Sequence, residues 1–222
     1  MADRPSALLW DFDGTTVDSE QCWARAEMRL LAHLGGARPG VDIPRQDGAS
    51  LDGTLRWIHE VAGVPLVDRD GERRELNLLA VEEYHRDGPV PLPGVRELLV
   101  SAHAAGIANL LVSANETWVL RQVLAGLDGL DYAHLVGEDM VALSKPAPDL
   151  YLEACRIIGA DPRDCIAFED SVNGATAAVA AGCFTVGVTG SATEAVHGMG
   201  LRLDGLSALS LGDLVVAWRS WR

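Results

Sequence analysis

The chain has 222 residues, 48% of them hydrophobic, and a formal net charge of −14. That is enough to bury one large core or two modest ones, and it excludes a disordered or fibrous chain. So acidic a surface repels nucleic acids and anionic membranes, and no apolar run approaches the roughly 20 residues of a spanning helix. It repels anionic small molecules as well, so a phosphate site here must be made locally positive by a few basic residues or a metal ion. The N-terminal residues carry no apolar stretch of secretory type, so a cytoplasmic location is expected. The four cysteines, Cys22, Cys155, Cys165 and Cys183, form no CxxC pair and read as buried free thiols.

The first element is a strand, Ala7-Leu8-Leu9-Trp10, running into Asp11. From residue 19 to 90 strand signals vanish. Trp23, Leu30, Leu31 and Leu34 make a helical stripe stopped by Gly35-Gly36. Ser50 is the N-cap expected for a helix with Leu51, Leu55, Ile58 and Ala62 on one face, ended by Gly63. A third helix covers about Glu72 to His85, and Gly88 to Pro93 forms a stiff, proline-rich return. Then comes a helix with Val95, Leu98, Leu99 and Ala102, ended by Gly106, and a strand from Ala108 to Val112 running into Ser113. The next helical stripe is Val119, Leu120, Val123, Leu124 and Leu127. After Pro148, Tyr151, Ala154, Ile157 and Ile158 make another, with Gly159 as its stop. The strand Cys165 to Phe168 leads into Glu169-Asp170, an alanine-rich helix follows and ends at Gly182, and Phe184 to Val188 is the last strand. Strands alternating with helices predict an α/β fold, a Rossmann-like parallel sheet with helices on both faces. Residues 1–18 and 91–222 form this core, and 19–90 an inserted all-helical cap domain. Three apolar runs end in reactive residues, which places them at the carboxyl ends of the strands, where such sheets bind ligands.

Asp11-Phe12-Asp13-Gly14-Thr15 is the central motif. On extended backbone Asp11 and Asp13 project to one side. Gly14 permits a sharp turn and brings backbone N–H groups close to an anion. Neighbouring carboxylates need a cation between them, and Mg²⁺ suits a site of hard oxygen ligands that also takes phosphate. Glu169 and Asp170 add carboxylates from another strand end. Lys145, framed by Pro146 and Pro148, offers an ammonium for a carboxylate and a phosphate oxygen, and Ser113 offers a hydroxyl and a backbone N–H. Ser113 also reads as a cap for the helix that follows it. The six histidines have no metal-ligand spacing and read as structural, with His59 or His85 able to line the cap. GxGxxG and GxxxxGK[ST] nucleotide loops are absent.

These residues resemble the haloacid dehalogenase superfamily, and the helical insert resembles the small cap of its β-phosphoglucomutase-like branch. Asp11 to Glu20 corresponds to the first motif, Ser113 to the second, Lys145 to the third and Phe168 to Gly182 to the fourth. The resemblance implies that Asp11 is a nucleophile forming an aspartyl-phosphate and that Asp13 is the acid and base for leaving group and water. It further implies that Mg²⁺ is held by Asp11, the Asp13 carbonyl and Asp170, with Glu169 in or beside the shell. Gly14, Thr15, Ser113, Ala114 and Lys145 would bind the phosphoryl group, and Trp23, at the start of the cap, would contact substrate.

An aspartate two residues after the nucleophile favours phosphate-ester chemistry over halide displacement or carbon–phosphorus cleavage. The expected activity is therefore a phosphatase for a small phosphorylated metabolite, a sugar phosphate in the commonest case. A phosphomutase is the alternative, but Trp23 stands where mutases have a histidine and Glu116 where they have a lysine. The loop at Gly48-Ala49-Ser50 also lacks their basic residues, with only Arg45 and Arg56 nearby. A non-catalytic phospho-ligand sensor is the third reading, and the intact motifs weigh against it.

Overall fold

In a parallel sheet covered by helices on both sides, alternate residues of each strand enter opposite layers of core, so apolar runs need not alternate. The computed structural model, which describes residues 3–36, 50–188 and 195–222, shows this arrangement. Six parallel strands lie in the order β3-β2-β1-β4-β5-β6. They are β1 (Ala7–Trp10), β2 (Ala108–Val112), β3 (His134–Val136), β4 (Cys165–Glu169), β5 (Phe184–Val188) and β6 (Leu201–Leu203). Leu8, Trp10, Ile166 and Phe168 enter one layer, where Trp10 stacks on Phe168 with ring centroids 4.1 Å apart. Ala7, Leu9, Cys165 and Ala167 enter the other.

The first layer is closed by α4 (Val95–Ala104), α5 (Thr117–Leu124) and α8 (Leu211–Trp221), and the second by α6 (Asp149–Ile158) and α7 (Val172–Ala181). The second layer also gathers three of the four free cysteines. Cys155 on α6 covers Cys165 and Cys183, and the Cys155 and Cys165 sulfurs lie 3.7 Å apart.

Between β1 and α4 stand α1 (Glu20–His33), α2 (Leu51–Ala62) and α3 (Arg69–Asp87). α1 packs along α3, and α2 packs against both. As expected, Ser50 caps α2 by accepting the Gly53 amide at 3.2 Å, and Gly63 ends it with φ +71°. α3 begins earlier than its apolar pattern suggests, because the Asp68 carboxylate accepts the Gly71 amide and caps a polar first turn. The chain's way in and way out run side by side. Asp18 donates to the Val90 carbonyl at 3.3 Å, Leu92 to that of Thr16 at 2.9 Å, and Val17 bridges Pro91 antiparallel.

β3, β6 and α8 extend the expected pattern. β3 and β6 are three-residue strands on the sheet's flanks, too short for periodicity to register. α8 is closed by a capping box between Ser210 and Asp213, with Leu214 and Trp218 buried beneath it. α5 ends at Leu124 rather than Leu127, as the chain turns at Gly126. The loop element Gly48-Ala49 and Arg45 lie outside the described residues, while Arg56 is exposed on α2.

A buried carboxylate joins α1 to α3. Glu83 is fully buried and accepts Arg25 Nε at 2.7 Å and Arg29 Nη1 at 2.9 Å, with Arg86 also paired to it. Burial alone would raise its pKa, but the hydrogen bonds from Arg25 and Arg29 more than offset this and hold it below the usual glutamate value. With the folded pKa depressed, this contribution is complete above the unfolded value of about 4.3 and is lost as pH falls through the folded one. Glu83→Gln should therefore cost about 1–3 kcal/mol at pH 7, a moderate sum because the arginines are partly solvated. The deficit should shrink in acid. Denaturant melts at pH 7 and pH 3.5 read it, and an equal deficit at both would refute the charge pairing.

Candidate active site

The sheet register assembles the site. Trp10 lies opposite Leu111 on one side and Phe168 on the other. Asp11, Ser113 and the Glu169-Asp170 pair therefore emerge from three adjacent strand ends, and the Asp11 amide continues the ladder to the Phe168 carbonyl at 3.1 Å. Lys145 arrives from the loop before α6, preceding a cis peptide to Pro146. Its Nζ donates to Asp11 Oδ1 at 2.5 Å, Glu169 Oε1 at 2.6 Å and the Val112 carbonyl at 3.0 Å, which uses all three ammonium protons.

Burial raises the Asp11 pKa well above the carboxylate norm against the pull of Lys145, and Glu169 and Asp170 push it the same way. Burial likewise opposes the charge on Lys145, but Asp11 and Glu169 overcome it and hold the lysine above its usual value. Asp170, half-buried beside Glu169, is pushed up to about 7, chiefly by burial. Oxygens of Asp11, Glu169 and Asp170 lie within 4.8 Å of one another. A nest of hard oxygen donors in which burial works against the charge on Asp11 and Asp170 fits a divalent cation.

Two glycines create the space. Gly14 has φ +81°, and a Cβ there would lie 2.1 Å from Asp170 Oδ2. Thr15 donates to the other Asp170 oxygen at 3.2 Å. Gly174, in the first turn of α7, lies under Glu169: a Cβ would come within 1.9 Å of Oε2. Glu169 is fully buried, and its Oε1 also accepts the Tyr151 hydroxyl at 2.5 Å.

The Asp13 carboxylate points toward the inserted helices. Oδ1 accepts Ser19 Oγ at 2.5 Å, Trp23 Nε1 at 3.0 Å and the Tyr84 hydroxyl, while Oδ2 accepts Asn115 Nδ2 at 2.6 Å. The structure thus brings Trp23 to Asp13, and it gathers Asp11, Lys145, Glu169 and Asp170 around one point. Ser113 is buried at its strand end. Its Oγ accepts the Asn115 amide at 3.1 Å instead of capping α5, whose N-cap is Glu116. Ala114 beside it is exposed. Thr16, which carried no role in the sequence, donates to the Asp11 carbonyl at 2.6 Å. His59 is held by the Val64 carbonyl and Glu72, and His85 by the Gln122 carbonyl, so both hold structure together.

Sequence reasoning missed Tyr84, Asn115 and Tyr151. Asn115 lies two residues past Ser113, a signal that was there to be used. Tyr84 and Tyr151 stand in apolar stripes, where only the hydroxyl sets them apart from packing residues.

A protein-family model described as haloacid dehalogenase-like hydrolase matches residues 5–182. Hexitol phosphatase B of Escherichia coli is 34% identical over 184 residues, covering 79% of this chain and 79% of that one. Fructose-1-phosphate phosphatase of the same organism is 31% identical over 193 residues, covering 85% of this chain and 98% of its own. Among solved structures, β-phosphoglucomutase from Clostridium difficile superposes with a TM-score of 0.80 at 22% identity, covering 98% of each chain.

Gly174→Ala separates two opposing forces. Helix propensity alone would stabilise α7 by about 1 kcal/mol. The overlap with a Glu169 locked by Lys145 and Tyr151 should instead cost about 1–3 kcal/mol, lowering the melting temperature by about 2–10 °C. A raised melting temperature would show that Glu169 is not pinned as described.

Proposed function

The chain belongs to the β-phosphoglucomutase-like branch of the haloacid dehalogenase-like hydrolases, and we propose that it is a Mg²⁺-dependent phosphatase of sugar or sugar-alcohol monophosphates. The observation that carries this reading is the Lys145 ammonium on Asp11 Oδ1, with Glu169 and Asp170 beside it and Asp13 two residues on. The names of the hexitol and fructose-1-phosphate phosphatases support the substrate class. The four free cysteines suit a cytoplasmic setting.

In the proposed mechanism Asp11 attacks phosphorus. The bond to the leaving oxygen breaks, and Asp13 gives that oxygen its proton. Water then attacks the aspartyl-phosphate, Asp13 takes a proton from it, and phosphate leaves with Asp11 regenerated. Lys145, the Ser113 hydroxyl and the backbone N–H groups of Thr15 and Ala114 hold the phosphoryl oxygens as charge builds on them. Lys145 gives up one of its present partners to do so. The Gly14 amide, expected to join them, donates instead to the Val17 carbonyl at 2.8 Å. When bound, Mg²⁺ would be held by Asp11, Asp170, the Asp13 carbonyl and Glu169, and would offset charge on the transferring group.

Residues 19–90 act as a cap over a core of 1–18 and 91–222. Its donors Ser19, Trp23 and Tyr84 sit on Asp13 Oδ1 in the arrangement seen. Closure would exclude bulk water, and Trp23 would meet the leaving group.

Phosphate release from a panel of phosphorylated sugars and sugar alcohols tests the reading. Release should need Mg²⁺ and vanish with chelator and in Asp11→Asn. Asp13→Asn should lower turnover by about 10²–10⁴-fold. Release that survives Asp11→Asn would refute the nucleophile, and turnover that depends on added sugar bisphosphate would indicate a mutase instead.

A further inference from the structure

On the leaving-group side the site is walled by α3 and the loop after β2. Asn115 of that loop and Tyr84 of α3 hold the two oxygens of Asp13. One residue along the loop is Glu116, and seven residues back along α3, two turns on the same face, is Asn77. The two meet, Asn77 Nδ2 donating to Glu116 Oε1 at 3.4 Å. Arg73, a further turn back, donates to the same oxygen at 3.3 Å, and Trp118 Nε1 to Glu116 Oε2 at 2.5 Å.

Arg73 is not available to a ligand. It is also paired with Asp52 Oδ1 at 3.1 Å and with Glu138, so one guanidinium serves three carboxylates. Its side chain is 18% exposed, against 26% for Glu116. A substrate with its phosphoryl group on Asp11 and its leaving oxygen at Asp13 must run its far end along this wall. There it meets carboxylate acceptors and a spent cation.

We propose that Glu116 is a charge filter for the leaving group, an inference that rests on the phosphatase reading of the same site. Glu116 admits a neutral, hydroxyl-rich remainder, whose O–H groups the carboxylates can accept. It disfavours one that ends in a second phosphate, because the Glu116 carboxylate would face that charge while the cation paired with it, Arg73, is already shared among three carboxylates. Like charges about 7 Å apart in a partly solvated cleft discriminate by about tenfold.

The test reads binding and turnover separately. In an Asp11→Asn background, dissociation constants for fructose 1-phosphate and fructose 1,6-bisphosphate are measured with Glu116 intact, with Glu116→Gln and with Glu116→Lys. The parent should favour the monophosphate by about tenfold, Glu116→Gln should narrow that ratio to about threefold or less, and Glu116→Lys should reverse it. kcat/KM ratios with Asp11 restored should follow, the change falling mainly in KM. A ratio that neither substitution moves overturns the filter, even if both sugars are hydrolysed. The expected binding ratios without phosphate release from either sugar would support the filter and refute the phosphatase reading.

Discussion

An ammonium wedged between two buried carboxylates organises this molecule. Without Lys145, Asp11 and Glu169 would face each other across adjacent strand ends in a medium too dry to hold both charges. With it, the Asp11 carboxylate, the proposed nucleophile, is aimed and partly neutralised. The surrounding features answer to that arrangement. The strand register sets Asp11 level with Glu169, Gly174 leaves room for the glutamate, Tyr151 takes up its remaining hydrogen-bonding capacity, and Gly14 lets Asp170 close in. The net charge of −14 makes the point sharper. An acidic protein that binds an anion must concentrate its positive charge where it counts.

The second aspartate obeys a different logic. Asp13 belongs to the core by sequence, but three of its four side-chain donors come from the inserted helices or the connection leading into them. The orientation of the Asp13 carboxylate, the proposed acid and base, is therefore set by where the insert stands. α3 carries this coupling on one face: Tyr84 reaches Asp13, while Asn77 and Arg73 meet Glu116 in the loop after β2. In the proposed reading, recognition and proton transfer would thus share one element, a direct way to make the chemistry wait for the ligand.

Much of this was legible before any coordinates. Apolar runs ending in Asp11, Ser113 and Glu169-Asp170 put the reactive groups at strand ends, and buried parallel strands leave that signature. Ser50 and Gly63 marked α2 because caps have local chemistry. Three-residue strands such as β3 and β6 carry too few residues to show a period, and their pairing depends on the neighbour alone. The capping box at Ser210 was readable and shows that α8 had a local signal. What local pattern could not supply were partnerships between distant residues. Nothing near Glu83 announces that Arg25 and Arg29 lie across from it, and nothing near Tyr84 announces Asp13, because those meetings exist only after two helices have packed.

The paired crossing at Thr16–Asp18 and Val90–Leu92 has an evolutionary consequence. A polypeptide that leaves a sheet and re-enters it at one point, with backbone hydrogen bonds stitching departure to return, presents a socket. Any insert whose ends lie a few ångströms apart can be plugged in there without disturbing strand order. The helical piece can then be exchanged or remodelled while the strand ends that carry Asp11, Ser113 and Glu169 stay as they are.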